Sequence, residues 1–378
     1  IFKTKMKIKI NRNTLLDTLQ KLSKAAPNRS TIPILNSFLF STEIDGLQIR
    51  ATDLEITLIS SLKVKIEETG SVAIPQKTLI DITSALPETE MVIELQENNK
   101  VVIKTKEGNY NISGSNSEEY PNIPQIDNKK EINIKSKVLK KLITKTIFAL
   151  SRDDTKPSLM GAYMEVLENQ ISLVATDGHR LSYFKNKEFL SGGYEGSLII
   201  PKKFLNLIIP LLETQKETTV WVGDNHITTT FGNITAFSRL IDAQYPDFRA
   251  VIPKNNEKIM VGNKEQILSS VKRVGIFSNR ETKQIDFIIS ENKLMVRTED
   301  AESATKAKEM LDVNYKEENI TIGFNANYLS DILNHIETKN FVMRLNSPIS
   351  ATLFSAEENE KKEEEQIMLL MPMRTGVT

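Results

Sequence analysis

Apolar positions along this chain follow two periods in turn, and the alternation recurs three times. The stretches KIKINRNTLLDTLQKLS from Lys7, EINIKSKVLKKLITKTIFALS from Glu131 and EKIMVGNKEQILSSVKRVGIFSN from Glu257 share one pattern. Each opens with apolar residues at every second position, crosses a polar residue, and continues with apolar residues three and four apart. The first period predicts a strand and the second an amphipathic helix. Leu15, Leu19 and Leu22 fall on one helical face, as do Leu139, Leu142, Ile143 and Ile147, and then Ile267, Leu268, Val271 and Val274. A second helix family follows at the same interval, in VAIPQKTLIDITSALP from Val72, LIIPKKFLNLIIPLL from Leu198 and ITIGFNANYLSDILNHI from Ile320. Copies lie roughly 125 residues apart, so the chain reads as a threefold tandem repeat carrying two helices per copy.

Between the two helices of each copy lies a third echo: LQIRATDLEITLISS from Leu47, ISLVATDGHRLSYFK from Ile171 and LMVRTEDAESATKAK from Leu294. Strand, tight polar turn and returning strand account for it, with Asp53 and Asp177 bonding their own backbone in the turn. What copy two adds is Gly178, His179 and Arg180, and only that addition needs a functional account. The remaining segments, such as MVIELQENNKVVIKTKEGNYNISG from Met91, alternate as short strands separated by turn residues. Proline-bearing segments at Tyr120 (YPNIPQIDNKK) and Tyr245 (YPDFRAVIPKNNEK) resist helix and predict extended joints. The expected fold class is therefore α+β, three repeated domains of antiparallel sheet with two helices each, spanning residues 1–128, 129–254 and 255–378.

Composition narrows the chemistry. Cysteine is absent, which removes disulfides, thiolate nucleophiles and cysteine metal sites. The three histidines, His179, His226 and His335, are not spaced to ligate one metal from a single element. No phosphate-cradling GxxxxGK occurs, so neither a cofactor nor ATP use is expected. Without a long apolar run or a secretory leader, the expectation is a cytoplasmic protein with no membrane partner. Net charge is zero, yet it is partitioned: the six predicted helices are net basic and the remainder net acidic. Such a division suits a protein with one surface toward phosphate, although exposed lysines also serve simply as solubilising residues. The charge run AEENEKKEEEQ from Ala356 reads as a solvated loop with no site.

RSTIPIL at Arg29, ATDLE at Ala51, ATDGHRL at Ala175, YPDFRAVIP at Tyr245, IGFNANYLSDIL at Ile322 and LLMPMR at Leu369 occur in order and together. In these motifs, from about Met6 to Arg374, the chain resembles the bacterial sliding clamp, the beta subunit of DNA polymerase III. The resemblance implies half of a closed ring: a homodimer of six domains, with helices around the hole and sheet outside, encircling duplex DNA without reading sequence. It implies as partners the DNA polymerase III alpha subunit, other polymerases and the clamp loader complex, and no catalysis. Head-to-tail closure would bring edge strands bearing Tyr110 and Ile112 against others bearing Ile276 and Phe277. The ATDGHRL turn would line a cleft for a short peptide rich in leucine and phenylalanine with a glutamine. Matching positions are Leu159, Thr176, Gly178, His179, Arg180, Leu181, Pro246, Val251, Asn325, Tyr328, Ile349, Met371, Pro372, Met373 and Arg374. Aliphatic and methionine walls with a few polar groups suit adaptable peptide binding. Arg29 matches a basic position of the family. Helix faces add Lys21, Lys24, Lys140, Lys141, Lys202, Lys203, Lys272 and Arg273 as DNA contacts. Two competing readings are a hydrolytic or metal site at Asp177, His179 and Asp53, and an interaction scaffold that never touches DNA.

Overall fold

The computed structural model describes residues 5–27, 30–43, 46–123, 129–357 and 363–375. Among them are six α-helices: α1 (Arg12–Leu22), α2 (Gln76–Ala85), α3 (Ser136–Thr146), α4 (Lys202–Ile208), α5 (Lys264–Gly275) and α6 (Ala326–Asn334). They are the two predicted families in the predicted order. In α1 the periodic residues Leu15, Leu19 and Leu22 are fully buried, and in α5 Ile267, Val271 and Val274 are nearly so. Asparagine begins three of the helices. The side chains of Asn11, Asn263 and Asn325 accept backbone N–H bonds from Asn13, Gln266 and Asn327, satisfying donors that have no partner inside the helix. Ile147, expected on the α3 face, lies just beyond it in a short 3₁₀ turn, Ile147–Ala149.

The chain forms two compact units, residues 1–137 with 203–240, and residues 138–202 with 241–378. The first contains a five-stranded and an eight-stranded antiparallel sheet, and the second an eight-stranded and a four-stranded one. Each eight-stranded sheet is assembled from two successive repeats. In the first unit the strand Ile234–Arg239 pairs with Ile56–Leu62, placing Phe237 opposite Thr57. In the second, Arg180–Asn186 pairs with Glu364–Leu370, placing Leu181 opposite Leu369. The second repeat is thus divided between the units because its outer strands complete the sheets of its neighbours. One core of the second unit gathers Met260, Phe287, Phe324, Phe341, Phe354 and Leu370 around the apolar faces of α5 and α6.

The echoed turns fold alike. Asp53 Oδ1 accepts from the Glu55 and Ile56 amides at 3.0 and 2.7 Å. Asp177 Oδ1 accepts from the His179 and Arg180 amides at 2.9 and 3.0 Å. The preceding threonine hydroxyl closes each loop, Thr52 accepting from the Leu54 amide and Thr176 from the Gly178 amide. Both aspartates are therefore turn-formers, as the sequence predicts. The residue after each one has a left-handed backbone, with φ 78° at Leu54 and 90° at Gly178. Glycine is unstrained there and leucine is not. Leu54→Gly should accordingly stabilise the first unit by about 1 kcal/mol. Stronger amide hydrogen-exchange protection across the first unit checks this, and weaker protection would show that Leu54 contacts outweigh the strain.

The linker tyrosines lock the joints. Tyr120 donates its hydroxyl to the carbonyls of Ser37 and Arg50, and Tyr245 donates to Val174 O at 3.4 Å while its ring stacks on Tyr163. Burial pushes both hydroxyls above the ordinary tyrosine range.

Two expectations are corrected. Ile276 and Phe277 lie on no strand: they form the turn that ends α5, with the Ile276 amide bonded to Arg273 O and the Phe277 amide to Val274 O. An apolar, β-branched and aromatic pair reads as strand in isolation, but here it continues the helical bonding. One edge of the four-stranded sheet is Thr305–Asp312, and Thr305 Oγ1 donates to Phe277 O, fixing the two side by side. The acidic run from Ala356 is the second: Glu358–Lys362 lie outside the described residues, but Glu364 and Glu365 belong to a strand and pair with lysines.

Candidate functional site: a braced turn and a C-terminal strap

The turn from Thr176 to Leu181 is held from three sides within the second unit. Beneath it, Leu181 is buried in a cluster with Val174, Tyr183, Phe248, Ala351 and Leu369. Beside it runs the C-terminal segment, whose Met371 amide donates to His179 O at 2.8 Å. That segment continues to Met373, whose amide donates to Gly323 O, and Gln284 donates to Arg374 O. A Cβ on Gly323 would meet Met373 O at 2.8 Å, so only glycine allows this strap to lie so close.

The third support is Arg180, which is 8% exposed. Its Nε donates to Asp177 Oδ2 at 3.1 Å, Nη1 to Asp331 Oδ2 at 2.5 Å and Nη2 to Phe148 O at 2.9 Å. The guanidinium plane sits over Tyr328, 4.5 Å from the ring centroid, a cation–π contact that also orients the ring. All three guanidinium nitrogens are engaged inside the protein. Arg180 therefore braces the turn against α6, where the resemblance implies a peptide-bonding group. His179 differs, since it is exposed and its ring lies 6.0 Å from that of Tyr328. Asn325 is likewise occupied, its Oδ1 capping α6 and its Nδ2 donating to Thr282 O.

The expected cleft residues thus divide in two. Thr176, Arg180, Leu181, Leu159 and Asn325 form buried or bonded framework. Val251, Ile349 and Met371 are 52, 74 and 40% exposed, apolar surface beside that framework, with His179 and Tyr328 as the polar and aromatic groups. Pro246 and Val251 flank Phe248, which anchors their segment on the Leu181 cluster. Pro372 and Arg374 lie in the strap, and Gly178 at the tip of the turn. No hydrogen bond joins Leu159 or Ile349 to the turn among the described residues.

Sequence reasoning missed Asp331 and Phe148 as site residues: both stand in quoted segments, but their partner is 151 and 32 residues away and no local pattern shows the pairing. It also missed His335, which stacks on Phe148 at 3.9 Å and bonds Asp331 O through Nδ1. Burial lowers its pKa, favouring the neutral ring beside Lys145 and Arg180. The hydrolytic reading of this turn gains nothing: Asp177 is spent on three bonds, and no metal-holding group of histidines and carboxylates occurs among the described residues.

Of the expected DNA contacts, Arg29 lies outside the described residues. Lys21 pairs with Asp17, Lys141 with Glu364, Lys203 with Asp53, and Arg273 with both oxygens of Glu309. Lys140 is half-buried on α3. Lys24, Lys202 and Lys272 have no ion pair among the described residues. Burial lowers the Lys202 pKa, with Arg152 and Arg180 lowering it further and Asp177 and Asp331 opposing them. For the seam, Tyr110 remains half-exposed on the edge strand Asn109–Ser113, but Ile112 is buried in its own sheet. Tyr110 and the strand edge are therefore what this side presents.

Comparison with known proteins is consistent along the whole chain. Models for the N-terminal, central and C-terminal domains of the DNA polymerase III beta subunit match residues 6–124, 133–247 and 249–374. The Haemophilus influenzae beta sliding clamp is 31% identical over 373 residues, covering 98% of this chain and 100% of that protein. The Escherichia coli K12 beta sliding clamp is 28% identical over 372 residues, with 98 and 100% covered. Among solved structures, the Pseudomonas aeruginosa sliding clamp bound to griselimycin superposes with a TM-score of 0.90 at 29% identity, covering 98% of this chain and 100% of that one. Full-length coverage, three domain matches in order and the same fold agree: this chain belongs to the DNA polymerase III beta subunit family, the bacterial sliding clamps.

Proposed function

We propose that the braced turn and the C-terminal strap form a docking cleft through which this clamp, a non-enzymatic processivity factor of DNA replication, holds its partners on duplex DNA. The observation that carries the cleft is the 2.8 Å bond from the Met371 amide to His179 O. It ties the methionine-bearing strap directly to the turn that carries the exposed His179. Flexible thioethers and aliphatic groups adapt to several peptides, while the histidine and the strap backbone fix direction. The partners on this reading are the DNA polymerase III alpha subunit, other polymerases and the clamp loader, each presenting a short leucine- and phenylalanine-rich segment.

The ring on this reading is a cytoplasmic homodimer of three clamp domains per chain, 1–128, 129–254 and 255–378. It closes head-to-tail, with the edge at Asn109–Ser113 meeting the edge at Thr305–Asp312 and the adjoining Ile276 and Phe277. Retention is topological, so the lysines need only weak, non-sequence-specific phosphate contacts, and tight binding would oppose sliding. The ion pairs of Lys21, Lys141, Lys203 and Arg273 moderate that attraction. Lys24, Lys202 and Lys272 are its main source among the described residues.

Loaded protein should remain on closed-circular DNA through a gel-filtration column and be lost when the DNA is linearised. Equal retention on both forms would refute enclosure, and no retention on either would favour a scaffold that never meets DNA. Changing Met371 and Met373 together to alanine should weaken peptide binding roughly 10- to 100-fold, the range of a truncated apolar anchor, while the dimer persists. Fluorescence anisotropy and sedimentation read the two properties. Their joint loss would show that the strap serves assembly.

A further inference from the structure

Next to the cleft lies a cavity of about 720 Å³ that shares three of the cleft's residues, His179, Arg180 and Tyr328. Its remaining wall is polar and comes from the loop Leu150–Lys156 and from the exposed sides of α5 and α6. The charges there are unevenly used. The carboxylates are engaged: Asp177 and Asp331 with Arg180, and Asp153 with the Thr155 amide and hydroxyl. Arg152, Lys156 and Lys272 line the same space and make no ion pair among the described residues. Lys202 adds to the field, its pKa being lowered chiefly by burial and then by Arg152 and Arg180. An unpaired guanidinium and two unpaired ammonium groups facing one pocket attract a carboxylate entering it.

We infer that this pocket, through Arg152 and Lys156, receives one or two acidic residues flanking the apolar core of a docked peptide. This rests on the cleft being a peptide site, and it adds a charge preference that the apolar cleft does not supply. Continuity argues for a peptide over a nucleic-acid strand, since His179 and Tyr328 belong to the cleft and also line the pocket. The interspersed carboxylates Asp153 and Asp331 argue the same way, for they would repel a run of phosphates more than one or two carboxylates. Rim charges of this kind act on selectivity and salt dependence more than on gross affinity.

The test uses the intact protein and fluorescein-labelled peptides with one leucine-phenylalanine-glutamine core, carrying two aspartates or two asparagines at the amino end or at the carboxyl end. An aspartate flank at one end should bind about tenfold tighter than its asparagine counterpart at low salt, and the advantage should shrink as salt rises. In R152Q/K156Q that advantage should vanish while the asparagine-flanked peptide binds as to the parent. Arg152→Glu should reverse the preference toward a lysine flank. Equal binding of all flanks to the parent protein would overturn the inference while leaving the cleft intact. Failure of every peptide to bind would instead remove the cleft reading itself. Should R152Q/K156Q keep flank discrimination, or lose affinity only for a primer–template oligonucleotide, the pocket belongs to other chemistry and the inference falls.

Discussion

Glutamate in place of both Ile276 and Phe277 should leave a folded chain that no longer dimerises and is no longer retained on circular DNA. In the single chain these side chains are 77 and 43% exposed, at the end of α5 rather than within a strand. A charge there is solvated before assembly and costs the fold little. In the proposed seam the same carboxylates would be buried against apolar surface with no partner, at a cost of about 3–5 kcal/mol per seam. Two seams close the ring, so both are weakened by the same pair of substitutions in the gene. Sedimentation at several concentrations should show monomers where the parent protein sediments as a dimer, and the circular dichroism should be unchanged. A dimer of parental stability would place the seam elsewhere. The opposite edge offers a softer companion test: Tyr110→Ala should loosen the dimer by less, because Tyr110 is half-exposed and much of that edge is backbone.

The seam also illustrates what could be read from the chain. Helical periodicity, the three echoes and the Asp-centred turns are local patterns, and local patterns survive in a sequence. Leu15, Leu19 and Leu22 are buried because their spacing leaves no other face for them. Asp53 and Asp177 bond amides two and three residues ahead, so their role needs no distant partner. Strand alternation, in contrast, says which face is buried and nothing about which strand lies alongside. The pairing of Ile234–Arg239 with Ile56–Leu62, which ties the second repeat into the first, had no legible signal. Nor had the difference between the two equivalent joints. Copy one sets an acidic turn residue, Asp53, against the basic Lys203 of α4; copy two sets the basic Arg180 against the acidic Asp331 of α6. The repeat is visible in the sequence, but the polarity of each joint depends on a residue at least 150 positions away. The same limit explains why Lys21, Lys141, Lys203 and Arg273, read as DNA contacts, are committed to carboxylates: a helix face shows a charge, and only the fold shows its partner.

Arg180 is where that limit matters most, and its removal should be the most damaging single substitution in the cleft. Arg180→Ala strands the Asp177 carboxylate, whose side chain is 11% exposed, and leaves the Phe148 carbonyl without its donor. Breaking a buried pair from one side costs about 3–5 kcal/mol. The Asp331 side chain is 47% exposed and can rehydrate, which reduces the expected loss to about 3 kcal/mol. Because the chain has two compact units, a global midpoint would blend their transitions. Amide hydrogen exchange on the turn 176–181 and on α6 is the better readout, and a loss of that size lowers protection roughly 100-fold. Arg180→Lys keeps the charge but not the three-way fork, so its loss should be intermediate. His179→Ala separates the roles: it is exposed, so protection should hold, yet peptide affinity should fall. If Arg180→Ala preserved protection and abolished only peptide binding, the guanidinium would be a ligand group rather than a brace. The cleft would then be shaped by the peptide it receives instead of being built in advance.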